Sequence, residues 1–181
     1  MTFAQSGLQL LIPETEIAAA VSRLASEIRR DYTGKRPLFI GILKGSFVFL
    51  ADLVRQLDFP LEIDFIVVCS YGKGTEPCGE VEVLYEPRLP AKGRNVVVIE
   101  DIVDTGLTTA SVIDHLKNQK PASLKLCVLL DKPARRRVPV KIDYLGLTVP
   151  DKFLVGYGLD CNEKFRNLPD IYVLREKCQT R

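Results

Sequence analysis

Residues 95–116, NVVVIEDIVDTGLTTASVIDHL, constrain what this chain can fold into more than any other stretch. Val96, Val97, Val98 and Ile99 form a β-branched run with no polar interruption, which reads as a buried strand. The run ends in two adjacent acids, Glu100 and Asp101. Asp104, Thr105, Gly106, Thr108 and Thr109 follow, and behind them the sequence reads as a helix. A strand of this kind, delivering carboxylates and then a hydroxyl-rich turn, must have its sheet covered and its carboxyl end open.

The rest of the chain repeats the alternation. Ile17, Val21, Leu24 and Ile28 fall at helical spacing after Pro13 and Thr15, predicting an amphipathic helix over about 14–31. PLFIGIL reads as a buried strand that runs through Lys44-Gly45-Ser46 into a second helix, with Phe47, Leu50, Leu53, Val54 and Leu57 on its inner face. LEIDFIVVCS is the next strand, YGKGTEPCGE a polar loop, and VEVLYEP a returning strand or hairpin arm. SLKLCVLL, KIDYLGLTV, FLVGYG and IYVLRE supply the later strands. Strands alternating with helices predict an α/β fold with a doubly wound, mostly parallel sheet flanked by helices. At 181 residues the expectation is a single domain over 1–181.

Composition removes several function classes. A net charge of +2 is too small to imply a nucleic-acid or membrane partner by itself, and no apolar run approaches the roughly 20 residues of a membrane helix. The start, MTFAQSGLQLLIPETE, lacks the basic and apolar regions of a signal peptide, so a cytoplasmic location is expected. Cys69, Cys78, Cys127, Cys161 and Cys178 are scattered, with no C-x-x-C pair, and His115 is the single histidine; neither a zinc site nor a disulfide framework is expected.

Ligands of open α/β sheets sit outside the carboxyl ends of the strands. There, Asp104 to Thr109 offer hydroxyls and backbone N–H groups at a helix start, a setting suited to phosphate. Glu100 and Asp101 would repel that anion unless the ligand also carries hydroxyls or a divalent cation, and a sugar phosphate with magnesium meets both conditions. The plainer alternative is that Asp104 or Thr105 caps the helix while Glu100 and Asp101 are solvated strand-end charges. No G-x-x-x-x-G-K-[ST] or G-x-S-x-G occurs, and Gly156-Tyr157-Gly158 lacks the third glycine of a dinucleotide loop, so kinase, serine hydrolase and dehydrogenase readings are disfavoured.

VVVIEDIVDTGLTTA resembles the phosphoribosyl-diphosphate motif of the purine phosphoribosyltransferases, and the likeness extends through GILKGSFVFLADLVRQL, CSYG and VPDKFLVGYGLDCNEKFRNLPDIYVL. The resemblance is to the hypoxanthine-guanine branch of that family, whose type I fold adds a small hood formed by N- and C-terminal segments. It implies that Glu100 and Asp101 hold the ribose hydroxyls, directly and through Mg2+, with Asp160 a second magnesium-associated acid. Thr105, Gly106, Leu107, Thr108 and Thr109 would cradle the 5-phosphate together with Asp104, which also faces the purine imidazole nitrogen and manages its proton. Lys44-Gly45 would form the diphosphate loop, in the family often across a non-proline cis peptide, and Arg166 would add a cation there. Ser70-Tyr71 would tip a loop that closes over the reactants. Lys132 would contact the 6-oxo group of the base, Phe153 would stack on it, and the backbone at Leu154 would read its far edge.

The implied reaction is Mg2+-dependent transfer of a 5-phosphoribosyl group from phosphoribosyl diphosphate to a 6-oxopurine, by positioning and leaving-group neutralisation without a covalent intermediate. Leu107 stands where some family members carry lysine, leaving the phosphate grip one charge short. His115 reads as structural, and the basic run 132–138, KPARRRV, as a solvated loop first, with attraction of substrate phosphate or a subunit contact as the alternatives. The main alternative is an RNA-binding regulator on the same fold with a preference for uracil, although no aromatic interleaving supports nucleic-acid binding. A receiver-like signalling domain fits less well. The resemblance implies a homodimer or homotetramer.

Overall fold

The computed structural model of the chain describes residues 7–70 and 81–175, apart from the side chains of Ser70 and Val81. Its main body is a six-stranded sheet: β2 (Leu38–Leu43), β3 (Glu62–Ser70), β4 (Val81–Tyr85), β5 (Asn95–Val103), β6 (Ser123–Asp131) and β7 (Tyr144–Thr148), in the order β4-β3-β2-β5-β6-β7. All neighbours run parallel except β4, which pairs antiparallel with β3 at one edge. Three helices cover it: α1 (Glu14–Tyr32), α2 (Phe47–Val54) and α3 (Leu107–Asn118).

Strand alternation sorts β5 between two cores. Val97 and Ile99 join α1 and α2 in one cluster, whereas Val96 and Val98 join Val112 and Leu116 of α3 in the other. All four are fully buried, as the uninterrupted apolar run requires. Continued past Ile99, the same alternation sends Glu100 toward the α3 face and Asp101 toward the α2 face.

α1 presents Ile17, Val21, Leu24 and Ile28 to the sheet, each burial contributing about 1.5–3 kcal/mol. Glu14 and Glu16 in its first turn and Arg29 and Arg30 in its last complement the helix dipole. α2 departs from the expected inner face: Phe49, Leu50 and Leu53 are its buried residues, whereas Phe47 is exposed. The helix begins at Phe47 itself, and its pitch turns that side chain away from the sheet.

A second, three-stranded sheet, β1 (Leu8–Ile12), β9 (Ile171–Leu174) and β8 (Leu154–Val155), in the order β1-β9-β8, forms the expected hood from N- and C-terminal segments. Asp170 ties hood to body, its Oδ1 accepting from the Glu14 amide at 2.8 Å. His115 is structural as read: its Nε2 meets Glu86 Oε2 at 2.8 Å, fastening α3 to the chain beyond β4. Cys161 is disulfide-bonded, which the scattered cysteines did not suggest, while Cys69 and Cys127 are free thiols.

Candidate active site

The carboxyl ends of β2, β5 and β6 converge on the predicted residues. Glu100 and Asp101 are only 7 % exposed each. Burial pushes the Glu100 carboxyl well above its ordinary 4.5, and the neighbouring Asp101 charge adds to the shift. Burial also raises Asp101, against opposing hydrogen bonds from Glu100 and the backbone and the charge of Arg166. Glu100 Oε2 is buried without a hydrogen-bond partner. These are not the solvated strand-end charges of the plainer reading.

The capping alternative holds only weakly, through Thr105. The residue before α3 is Gly106, at φ 85°, which offers no side chain to cap the helix. Thr105 Oγ1 accepts one long hydrogen bond, 3.4 Å, from the Leu107 amide, and Asp104 makes none to the helix start among the described contacts. Leu107 and Thr108 are half-buried, so the helix start opens toward solvent, while the Thr109 side chain is buried at 2 % exposure and leaves its backbone amide to that end.

Asp104 carries two differently placed oxygens. Oδ2 accepts from Lys132 Nζ at 3.3 Å, and Oδ1 is buried without a hydrogen bond, with Arg135 Nε at 3.6 Å. Lys132, 4 % exposed, follows directly after β6, whose pairing with β5 brings it beside Asp104. Phe153 is 46 % exposed and Leu154 buried in β8, so an open aromatic face and a rigid backbone stand next to each other.

On the other side of β5, Lys44-Gly45 lies between Asp101 and the hood. Among the described residues the cis peptide is Leu43–Lys44. A Cβ built on Gly45 would run into the Asp101 carboxylate, and one on Gly158 would run into the Gly45 carbonyl. Arg166 gathers this corner: it donates to the Gly158 carbonyl at 2.8 Å and pairs with Asp160 at 2.8 Å and Glu163 at 3.2 Å, its Nε buried without a partner. Lys44 Nζ pairs with Glu163 Oε1 at 2.9 Å. Asp160 is therefore engaged by Arg166 and by the Glu163 amide, and among the described residues no three acids form a group able to hold a metal. Ser70 ends β3, and Tyr71 lies outside the described residues. Glu163, Asp131, Arg135 and Arg136 also stand at the site's contacts; no local motif marks the two acids, and the two arginines lie in the basic run 132–138.

The phosphoribosyl transferase domain family matches residues 12–162. The chain belongs to that family. It is 45 % identical to the hypoxanthine-guanine phosphoribosyltransferase of Aquifex aeolicus, over 93 % of this chain and 96 % of that protein. The chain spans about a quarter (26 %) of the bifunctional protein TilS/HprT of Listeria monocytogenes, to which it is 45 % identical over 92 % of its own length. Among solved structures, the hypoxanthine phosphoribosyltransferase of Staphylococcus aureus superposes with a TM-score of 0.93 at 39 % identity, over 99 % of this chain and 98 % of that one. The Trypanosoma cruzi enzyme in complex with the product IMP gives 0.87 at 39 % identity, over 97 % of each chain. These likenesses agree with the type I fold and lend no support to the RNA-binding, uracil-directed alternative.

Proposed function

We propose that this phosphoribosyltransferase serves purine salvage, moving the 5-phosphoribosyl group of phosphoribosyl diphosphate onto hypoxanthine or guanine, with xanthine as a further acceptor, and releasing diphosphate. The observation that carries the reading is the buried Glu100–Asp101 pair standing directly before an uncapped, glycine-led helix start. It joins acceptors for ribose hydroxyls to donors for a phosphate within a few residues.

A buried carboxylate pair with an orphaned Glu100 oxygen suits a divalent cation, and magnesium takes one or two protein carboxylates while its other positions go to water and substrate phosphate. Glu100 and Asp101 would hold it, with Asp160 near the diphosphate corner. When bound, the ion supplies positive charge against the ribose hydroxyls and the departing diphosphate.

The chain's own residues do the rest. Amides of Thr105 to Thr109 with the Thr108 hydroxyl receive the 5-phosphate. Lys44, the Gly45 amide and Arg166 face the diphosphate, whose leaving charge they neutralise. Phe153 stacks on the purine and Leu154 borders its far edge. Lys132 Nζ carries three donors, enough to reach a 6-oxo oxygen while keeping Asp104 Oδ2. Asp104 Oδ1, without a hydrogen bond, accepts the imidazole proton of the base as its ring nitrogen bonds to the anomeric carbon. Adenine presents an amino group, a donor, where Lys132 needs an acceptor, so the Lys132 N–H aimed at position 6 goes unpaired even though Asp104 still holds the charge, which disfavours adenine.

The whole chain, 1–181, acts as one domain in the cytoplasm; no described helix is long and apolar enough to cross a membrane. It assembles as a homodimer or homotetramer, a reading in keeping with the exposed apolar side chains of Ile63 in β3 and Leu84 and Tyr85 in β4. The function is tested by offering hypoxanthine, guanine, xanthine, adenine and uracil separately with phosphoribosyl diphosphate and magnesium, alongside Asp104→Asn. Nucleotide formed from 6-oxopurines alone, and slowed severely in the variant, supports it. Turnover of uracil alone, or of no base while RNA binds, sinks it.

A further inference from the structure

We infer that Arg136 is the positioning residue of the phosphate loop, turning its peptide groups so that successive N–H bonds face the anion. The inference rests on the reading that 104–109 receives the 5-phosphate. In the sequence Arg136 belongs to a basic run that reads as solvated, yet its side chain is only 19 % exposed.

Its guanidinium lies against the back of the loop. Nε donates to the Asp104 carbonyl at 3.2 Å and Nη2 to the Val103 carbonyl at 3.2 Å. Nη2 is also paired with the carboxylate of Asp131, the last residue of β6, which fixes the guanidinium to the sheet. The neighbouring backbone continues the line. The amides of Arg137 and Val138 donate to the Thr105 carbonyl at 2.9 and 3.3 Å, and the Lys132 amide donates to the Val103 carbonyl at 3.0 Å.

The carbonyls of Val103, Asp104 and Thr105 are thus all drawn toward 132–138. In a trans peptide the N–H points opposite to the C=O, and the described cis bond, Leu43–Lys44, lies elsewhere. The N–H groups of Asp104, Thr105 and Gly106 must therefore face away from the basic run, on the opposite side of the loop. With no side-chain cap on α3, that orientation depends on the clamp. Gly106 seals it: a Cβ there would stand 3.0 Å from Arg136 Cδ and 2.9 Å from Val140 Cγ2. Two of the three turned peptides are held by one side chain, so Arg136 acts on phosphoribosyl diphosphate through the loop without touching it.

The test compares Arg136→Met, which keeps the stem and removes the guanidinium, with Arg136→Lys, which can hold Asp131 and one carbonyl. Steady-state constants are measured for each substrate in protein checked for folding by its melting temperature. Arg136→Met is expected to raise KM for phosphoribosyl diphosphate about tenfold, with KM for hypoxanthine within about twofold and kcat changed less than KM, and Arg136→Lys to recover part of it. If Arg136→Met does not fold, Asp131→Asn, which loosens the anchor, is read in the same way. An unchanged KM for phosphoribosyl diphosphate in both Arg136→Met and Asp131→Asn, with only the melting temperature lowered, overturns the inference. Thr108→Val separates the two levels: if it raises that KM while the clamp variants do not, the clamp fails and the phosphate loop stands. If Thr108→Val also leaves it unchanged, the phosphate reading of the loop fails and takes the clamp with it.

Discussion

Gly45 and Asp101 are in such close register that the backbone of the first leaves no room for a side chain beside the carboxylate of the second. The contact joins the loop after β2 to the end of β5, and Gly158 presses the same loop from the hood side. Gly45→Ala must displace either the loop or Asp101. Overpacking of this kind costs about 1–3 kcal/mol of stability. Because the displaced groups are those proposed to meet diphosphate and ribose, the larger effect should be kinetic: a fall in kcat/KM for phosphoribosyl diphosphate of about a hundredfold, as a small misplacement of catalytic groups costs. Kinetics at saturating purine and a thermal melt check it; activity near the parent's would mean the loop is not part of the site.

Lys132 is buried with Asp104 as its partner, and Lys132→Met keeps the stem while removing every donor. A hydrogen bond from a charged group is worth about 1.5–3 kcal/mol, so kcat/KM for hypoxanthine should fall roughly 10- to 150-fold. Loss of the Asp104 partner falls on both bases alike, whereas loss of the 6-oxo contact falls on hypoxanthine alone, so the ratio between the two bases should narrow. Competition between hypoxanthine and adenine in one reaction measures this directly, and an unchanged ratio would remove Lys132 from base selection.

What the sequence made legible were the features carried by contiguous residues. The β-branched run at 96–99 could only be a buried strand, and the acids and D-T-G-x-T turn following it had to emerge at that strand's end. β1 was not legible: LQLLI is five residues long and becomes a strand by pairing with β9, more than 150 residues further along. The role of Arg136 was hidden for the same reason. Composition marks 132–138 as basic, and nothing local says that three carbonyls from 103–105 turn toward it. The apolar spacing sends Phe47 inward, yet Phe49 is the buried one, because the helix start sets the phase and a start without a side-chain cap carries little signal.

Burial holds Glu100 and Asp101 above their ordinary values, which fixes the direction of two pH effects. Between the unfolded and the raised folded value, the native state keeps protons that the unfolded chain has released. Without a cation, stability should therefore fall as pH rises through that window. A divalent cation displaces those protons, so its affinity should rise over the same window. Glu100→Gln removes the cost of ionising a buried acid and should raise the melting temperature at pH 8 by a few degrees, about 1 kcal/mol, while weakening magnesium's stabilising effect. Thermal melts with and without magnesium from pH 5 to 9 test both parts; a variant less stable than the parent at pH 8 would contradict the account of the pair.

At the opposite end of the sheet Asp31 accepts from Lys125 Nζ at 2.7 Å and from Tyr144 Oη at 2.6 Å, joining the last turn of α1 to β6 and β7. The Lys125 hydrogen bond first, then that of Tyr144, lowers its carboxyl from 3.8 to about 2. A depressed carboxylate adds stability that is complete above the unfolded value and is lost as pH falls toward the folded one, so the contribution disappears between about pH 4 and 2. Water reaches this cluster, and after screening the contribution is about 1 kcal/mol, less than the shift alone would give. Lys125→Met should lower stability at pH 7 by about that amount, some 2–4 °C in melting temperature, and leave catalysis untouched because the cluster lies at the amino ends of β6 and β7, opposite the site. By pH 2, where the folded carboxylate is half protonated, most of the difference between the parent and the variant should be gone. Acid titrations followed by circular dichroism decide it: a difference that persists unchanged at pH 2 would mean Lys125 stabilises by its packing over the Tyr32 and Tyr144 rings, with no contribution from its charge on Asp31.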